Sequence, residues 1–201
     1  MFSMPLIILS LVLGVVISGY LLAGIRNPTI RRTIGWLLLG GTTTAAHVVM
    51  LEATPLARMV GLCCVLLGGM KALVYAEWAR PHVLTIPRYL VFAFFWFGMD
   101  PGNFTKRRRK LSWHHDIAVG IALMLVGTLG AWIVWKMEWR QILLMFIPMS
   151  LGFHFGALRV LKGAQRSAGF PVRTLFPNPL VTHGIGDFWS KRWNVGYSQM
   201  L

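Results

Sequence analysis

Residues 117–135 read IAVGIALMLVGTLGAWIVW, nineteen residues without a charged side chain. An α-helix needs about 20 predominantly apolar residues to cross the hydrocarbon core of a bilayer. The apolar residues are continuous here, whereas a strand of a membrane barrel shows alternating hydrophobicity. The stretch therefore predicts a membrane-spanning helix and, with it, an all-α fold.

Four further runs have the same character, and the 201-residue chain is 56% hydrophobic with a mean hydropathy of +0.62. A soluble domain is nearer half apolar even when glycine is counted. We therefore predict a polytopic helical membrane protein with five spanning helices, in the bacterial inner membrane or an equivalent one. The predicted membrane domain covers residues 1–162, and a cytosolic or interfacial segment covers residues 163–201. The spans are predicted at residues 5–25, 35–51, 59–75, 117–135 and 141–157.

The segment 89–99 decides how often the chain crosses the bilayer. It holds eleven uncharged residues, or roughly 16 Å of helix, against a hydrocarbon core of about 30 Å. We therefore interpret it as re-entrant or interfacial. With the N-terminus outside, five spans leave sixteen basic residues inside and only Arg58, Lys136 and Arg140 outside. A sixth span gives at best twelve inside and seven outside, so the positive-inside rule favours five.

The net charge of +14 comes from twenty Lys and Arg against six Asp and Glu. In a soluble protein this charge suggests nucleic-acid binding. No nucleic-acid motif accompanies it, and basic loops of membrane proteins contact anionic lipid, so we expect membrane lipids and no nucleic acid as partners. The densest basic run fits either a clamp on the membrane surface or a phosphate site, and consists of Lys106, Arg107, Arg108, Arg109 and Lys110.

The most specific motif is DFWSKRWN at residues 187–194. Asp187 is expected to cap a short helix that opens at the next residue. Trp189 and Trp193 then stand four residues apart on one face, with a basic face beside them. Tryptophan with Lys or Arg is common at headgroup depth, so an interfacial anchor is one interpretation of this helix.

The FWSKRWN segment also resembles the FWxxRWN signature of the wax-synthase branch of the membrane-bound O-acyltransferases. A second patch, WFGMDP at residues 96–101 followed by Phe104, is similar to the WPGMxP…F stretch of the same proteins. Phe97 stands where the family often has proline. The order of the two patches and their separation of roughly ninety residues fit the family as well.

The resemblance implies transfer of an acyl group from acyl-coenzyme A, as co-substrate, to a long-chain alcohol, with no other cofactor and no metal. It places Trp189, Arg192 and Trp193 at the substrate and Asn194 at a catalytic signature position. If the basic run is a phosphate site, the phosphates of coenzyme A are its expected ligand. The family's base histidine is expected beyond residue 201, in a missing C-terminal half, so this chain is expected to be inactive alone. The alternative is a non-catalytic, lipid-binding helical subunit or a degenerate family member.

His154 is the second candidate catalytic residue. It lies inside the last predicted span, with Ser150 four residues before it on the same α-helical face. Arg159, five residues later, is expected to point away from that face. An ionisable group in a membrane helix is a functional candidate, and the alternatives are a place in a substrate tunnel or a hydrogen bond to Ser150. Gly152 and Gly156 form a GxxxG pair on nearly the opposite face, which suits close helix packing.

Overall fold

A computed structural model describes residues 4–78, 84–137 and 142–198. Within these ranges the chain is 74% helical and forms no strand, which confirms the all-α fold. Arg80 and Arg140, which enter the charge count, lie outside the described residues. The chain divides into two compact units, Met1–Phe94 and Phe95–Leu201. The predicted boundary after residue 162 is of another kind, since it divides a membrane domain from an interfacial segment. This boundary stays a prediction.

The first unit is built around three long helices, and the third of them packs against both the first and the second. Asn27 begins the second helix, since its side chain accepts hydrogen bonds from the backbone N–H groups of residues 29 and 30. Small residues allow the helices to approach closely; a methyl group on Gly69, for example, would lie 2.5 Å from a side-chain carbon of Leu39. The helices of this unit are α1 (Met4–Leu22), α2 (Pro28–Val49), α3 (Pro55–Trp78) and α4 (Ile86–Phe94).

Helix α4 is nine residues long, roughly 14 Å. It is amphipathic and buries Tyr89, Phe92 and Ala93. The hydroxyl of Tyr89 donates a 2.6 Å hydrogen bond to the carbonyl of Val16, and the fully buried ammonium of Lys71 donates to the carbonyl of Phe92 at 3.1 Å. The helix is therefore held inside the unit by its buried face and is too short to cross a bilayer by itself.

The second unit is built on one helical hairpin. Helix α5 (His114–Trp135) packs against a continuous helix made of α6 (Ile142–Ser150), a π-helical segment (Leu151–Ala157) and α7 (Leu158–Ser167). A 3₁₀ turn, Pro101–Phe104, precedes the hairpin and begins at Asp100, whose carboxylate accepts from the backbone N–H of residue 102. The chain then continues without regular structure to three short elements, α8 (Ile185–Asp187), a second π segment (Phe188–Arg192) and α9 (Val195–Ser198).

Glycines set the spacing of this hairpin. A methyl group on Gly127 of α5 would lie 2.6 Å from the Cα of Gly152, and one on Gly156 would lie 2.7 Å from the side chain of Met124. Such distances are below van der Waals contact, so the backbones can meet only where the side chain is hydrogen. The expected close packing at Gly152 and Gly156 is therefore confirmed.

Four helices in the described part of the chain are long and apolar enough to cross a membrane: Met4–Leu22, Pro55–Trp78, His114–Trp135 and Leu143–Ser167. They support the prediction of a helical membrane protein. The expected span at residues 35–51 falls in α2, which has 22 residues but carries Arg31, Arg32 and five threonines. These polar residues lower its hydropathy, and α2 is not among the four. The fifth span stays a prediction.

Candidate functional site

A π segment interrupts the last long helix of the second unit. In a π-helix the hydrogen bonds join residues five apart instead of four. Pro148, just before the segment, has no N–H to donate to the helical ladder. His154 and Arg159, five residues apart, both line one cleft. Arg159 pairs with Asp116 of the facing helix at 3.4 Å, and the direction expected for its side chain relative to His154 stays a prediction.

This cleft lies within the second unit and has a volume of about 410 Å³. Its apolar walls come from both helices of the hairpin and from the chain that follows α7, with Leu123, Leu151 and Phe176 among them. Arg159 and Lys162 supply a basic end, next to Thr174. The cleft is thus amphiphilic, with apolar surface over most of its length and positive charge at one end.

His154 stands in an aromatic cluster beside the cleft. Its ring centroid lies 5.2 Å from that of Phe176 and 5.7 Å from that of Trp193, and Phe176 meets Trp193 edge-on at 5.0 Å. Two predicted site residues, one in a spanning helix and one in the terminal motif, are therefore brought together. Among the described residues Nδ1 of His154 is buried with no hydrogen-bond partner, so this atom makes no bond to Ser150.

The terminal motif is arranged differently from the single capped helix that its sequence predicts. Gly184, not Asp187, precedes the first helical turn, and the Asp187 side chain makes no capping bond. The helix ends where Trp193 adopts an extended conformation. Trp189 is 60% exposed, whereas Trp193 packs on the aromatic cluster. The expected cap and the shared aromatic face are both wrong, because the short segment follows its tertiary contacts instead of α-helical register.

Asp187 instead binds the basic part of its own motif. Its carboxylate accepts a 3.3 Å hydrogen bond from Nε of Arg192 and a 3.4 Å bond from the backbone N–H of His183. Desolvation raises the pKa of Asp187, but the His183 bond and the charges of Arg192 and Lys191 outweigh it and hold the pKa below its usual value. Arg192 is thus oriented by Asp187.

Asn194 has a backbone conformation that few residues other than glycine adopt. Its φ is +43°, in the left-handed region that asparagine enters more readily than most residues. The turn is pinned by a 2.9 Å hydrogen bond from the N–H of Val195 to the carbonyl of Leu175. Asn194 therefore has a backbone reason to be asparagine, independent of any chemistry of its amide.

The two motif patches meet in space. A methyl group on Gly196 would lie 3.4 Å from the Cα of Gly98, and methyl groups on both glycines would contact Leu175. Trp96, Met99 and the Pro101–Phe104 turn of the first patch form buried structure beside them. The WFGMDP patch thus acts as scaffold for the segment that carries Asn194.

A buried ion network at the basic end of the cleft was missed by sequence reasoning. Asp116, 5% exposed, pairs with Lys162 at 2.9 Å, Arg166 at 3.1 Å and Arg159 at 3.4 Å. Lys162 also donates to the hydroxyl of Thr174 at 2.8 Å. The signal was available: the three cations are spaced i, i+3, i+7 and so share one helical face, and Asp116 opens an apolar helix in a chain with only six acidic residues.

The basic run lies apart from the lining of this cleft, with all five side chains exposed. The backbone N–H of Arg108 donates to the carbonyl of Gly169 at 2.8 Å, and the guanidinium of Arg107 lies 5.3 Å from the centre of the Phe170 ring. A backbone hydrogen bond therefore holds the run in place, and its five charged side chains are exposed. In the described part of the chain no group of three His, Cys, Asp or Glu side chains could hold a metal ion.

Together the helices and the cleft define a helical membrane protein whose second unit carries an amphiphilic cleft. In comparison with known proteins, no family model, no curated protein and no solved structure matches the chain. Function is therefore argued from the residues, and the family resemblance of the two motifs stays a prediction.

Proposed function

We propose that this chain is the motif-bearing portion of a wax-synthase-like membrane-bound acyltransferase, which transfers an acyl group from acyl-coenzyme A to a long-chain alcohol. In this proposal the protein crosses the bacterial inner membrane, or an equivalent one, five times with its N-terminus outside. Residues 89–99 form the re-entrant or interfacial segment.

The observation that carries the proposal is the convergence of segments that are distant in sequence. Gly98 and Gly196 bring together the two patches that resemble the family, and Trp193 of the second patch packs on His154 beside the cleft. An active site in a membrane protein needs such an arrangement, with a hydrophobic space for a chain and polar groups at its edge. A motif that served only as an interfacial anchor would not need to contact His154.

The chemistry requires a base for the alcohol and donors for the developing oxyanion. The amide of Asn194 can donate a hydrogen bond or orient a partner but cannot act as base at neutral pH. We therefore propose that acyl transfer needs a further helical portion that carries the family's base histidine. His154, with its free Nδ1 among the described residues, is then a residue of the substrate tunnel.

The test is acyl-coenzyme A consumption by the purified chain with hexadecanol, alone and after co-expression with a C-terminal portion of a wax synthase. We expect turnover only in the second case. Asn194→Gly is the informative variant, because glycine adopts a positive φ without strain and removes only the amide. Turnover should fall by about a hundredfold to a thousandfold, the range for one lost oxyanion donor, while expression is unchanged.

Two results would contradict this mechanism. Full activity in Asn194→Gly would show that Asn194 serves the backbone turn only. Turnover by the chain alone that is lost in His154→Ala would move the base to the last long helix. The second candidate function, a non-catalytic lipid-binding subunit, is favoured by the basic end of the cleft, and the absence of turnover in every combination would support it.

A further inference from the structure

The ion network leaves an excess of positive charge at one end of an apolar cleft. Asp116 supplies one negative charge, and Arg159, Lys162 and Arg166 supply three positive ones. Arg159 and Lys162 line the cleft, and Arg159 makes the longest of the three contacts with Asp116. Charged groups removed from water are costly unless they are paired, so this end of the cleft favours an anion.

The rest of the cleft fits a hydrocarbon chain. Along the helix, Leu151 precedes Lys162 by eleven residues, which is roughly 16 Å of helical rise. The apolar walls at Leu151 and Leu123 belong to segments that qualify as membrane spans, and the cations lie toward the end of the same helix at Ser167. Basic residues near a helix end lie at headgroup depth. The apolar part of the cleft therefore lies at hydrocarbon depth and its basic end lies at headgroup depth, as the chain and the head of a lipid do.

We infer that the cleft binds a single-chain lipid with an anionic head, a carboxylate or a phosphate, which Arg159 and Lys162 hold while the chain lies along Leu151 and Leu123. This site goes beyond the proposed acyl transfer, since it requires no reaction and no further portion of the protein. Asp116 positions the two cations and prevents them from turning into the solvent. Phe176 and Leu158 close the walls around the first carbons of the chain.

The binding test uses the full chain in nanodiscs of zwitterionic lipid. The probes are radiolabelled palmitate, lysophosphatidic acid, hexadecanol and inorganic phosphate. Palmitate or lysophosphatidic acid should bind in a saturable manner, and the one that binds identifies the head group. Hexadecanol should bind at least about tenfold more weakly, because one hydrogen bond to a charged group is lost. Equal binding of hexadecanol, or of inorganic phosphate alone, overturns the inference.

Three variants locate the site. Arg159→Gln should weaken binding of the anionic lipid by about tenfold; Arg159 is partly exposed, so the variant is expected to fold, and a thermal melt checks this. Arg173→Gln removes an exposed charge that is not part of the cleft lining and should leave binding unchanged. Leu123→Trp fills the apolar end and should weaken palmitate more than octanoate.

Wild-type affinity for the anionic lipid in Arg159→Gln overturns the inference, as does an equal loss in Arg173→Gln, which would indicate non-specific attraction. An unchanged preference for palmitate in Leu123→Trp excludes the chain from the cleft. Because every readout is binding, a failure of acyl transfer leaves this test intact, and a failure here leaves the assay of Asn194→Gly intact.

Discussion

At the scale of single residues, Asp116 has the largest effect expected in the second unit. A carboxylate that is 5% exposed and contacts three cations offsets the cost of placing those cations away from water. Loss of one partner from a buried ion pair costs about 3–5 kcal/mol, far more than the pair itself contributes, because an uncompensated charge remains. Arg159 and Arg166 are partly exposed, which moderates that cost.

We expect Asp116→Asn to lower the free energy of unfolding by about 2–4 kcal/mol, since three cations then lack a counter-ion. Reversible unfolding in mixed micelles, followed by circular dichroism, measures the change. The matched control is Glu77→Gln, which removes an ion pair with Arg32 of the same 2.9 Å length but on an exposed surface and should cost at most about 1 kcal/mol. Equal effects in the two variants would refute the burial argument.

At the scale of elements, helix contacts are set by small residues and by the π segment. Apolar side chains gain little from leaving lipid, so association of spanning helices depends on close packing. Gly127 and Gly152 provide it between α5 and the helix that follows. The π segment, Leu151–Ala157, contains Gly152 and Gly156, and His154 and Arg159 of the same helix line the cleft.

Gly127→Ala and Gly40→Ala should change stability in opposite directions. Both glycines lie in helix interiors, where alanine gains up to about 1 kcal/mol in propensity. A methyl group at Gly40 meets nothing within 4 Å, whereas one at Gly127 meets the backbone of Gly152 at 2.6 Å, an overpacking that costs about 1–3 kcal/mol. Thermal denaturation in detergent compares the two. A stabilised Gly127→Ala would mean that the two helices are further apart than described.

The exposed basic run, residues 106–110, should bind anionic headgroups. Replacing all five residues by glutamine removes attraction worth about 1 kcal/mol for each residue near the surface, so binding of a fluorescent phosphatidylglycerol should weaken and lose most of its salt dependence. The control is Lys136→Gln, an exposed residue on the predicted outer side. The same salt dependence with and without the five charges would rule out this role.

For the whole molecule, the number of membrane crossings depends on α2. Four helices qualify as spans in the described part of the chain, and α2 decides whether there is a fifth. It is 22 residues long, roughly 33 Å, so its length suffices even though its hydropathy is lower. Its buried residues are Gly35, Leu39 and Ala46, and Gly35 and Leu39 pack against α3.

Cysteine labelling tests the five-span topology after Cys63 and Cys64 are replaced by serine. Cysteines at Arg26 and Arg109 should react with an impermeant reagent from one side of the membrane, and a cysteine at Glu52 should react from the other. All three positions are exposed. If Arg26 and Glu52 react from the same side, α2 does not cross and the topology has four spans.

The class of fold follows from the amino-acid composition of the helices alone, because the bilayer imposes a simple requirement on it. Continuous apolar runs long enough to cross it must be helical, since no water satisfies the backbone there. The helices at residues 117–135 and 59–75 follow from that rule, and the glycine pair of the last long helix follows from helical spacing. Such features depend only on neighbours along the chain.

The arrangement of the site depends on contacts that form only in the folded chain. Arg159 pairs with Asp116 of the facing helix, and Trp193 leaves its helix because the cluster around His154 and Phe176 holds it. The three partners of Asp116 lie more than forty residues away along the chain. The role of these charged and aromatic side chains depends on what they contact, and those contacts are made by segments that are far apart in the sequence.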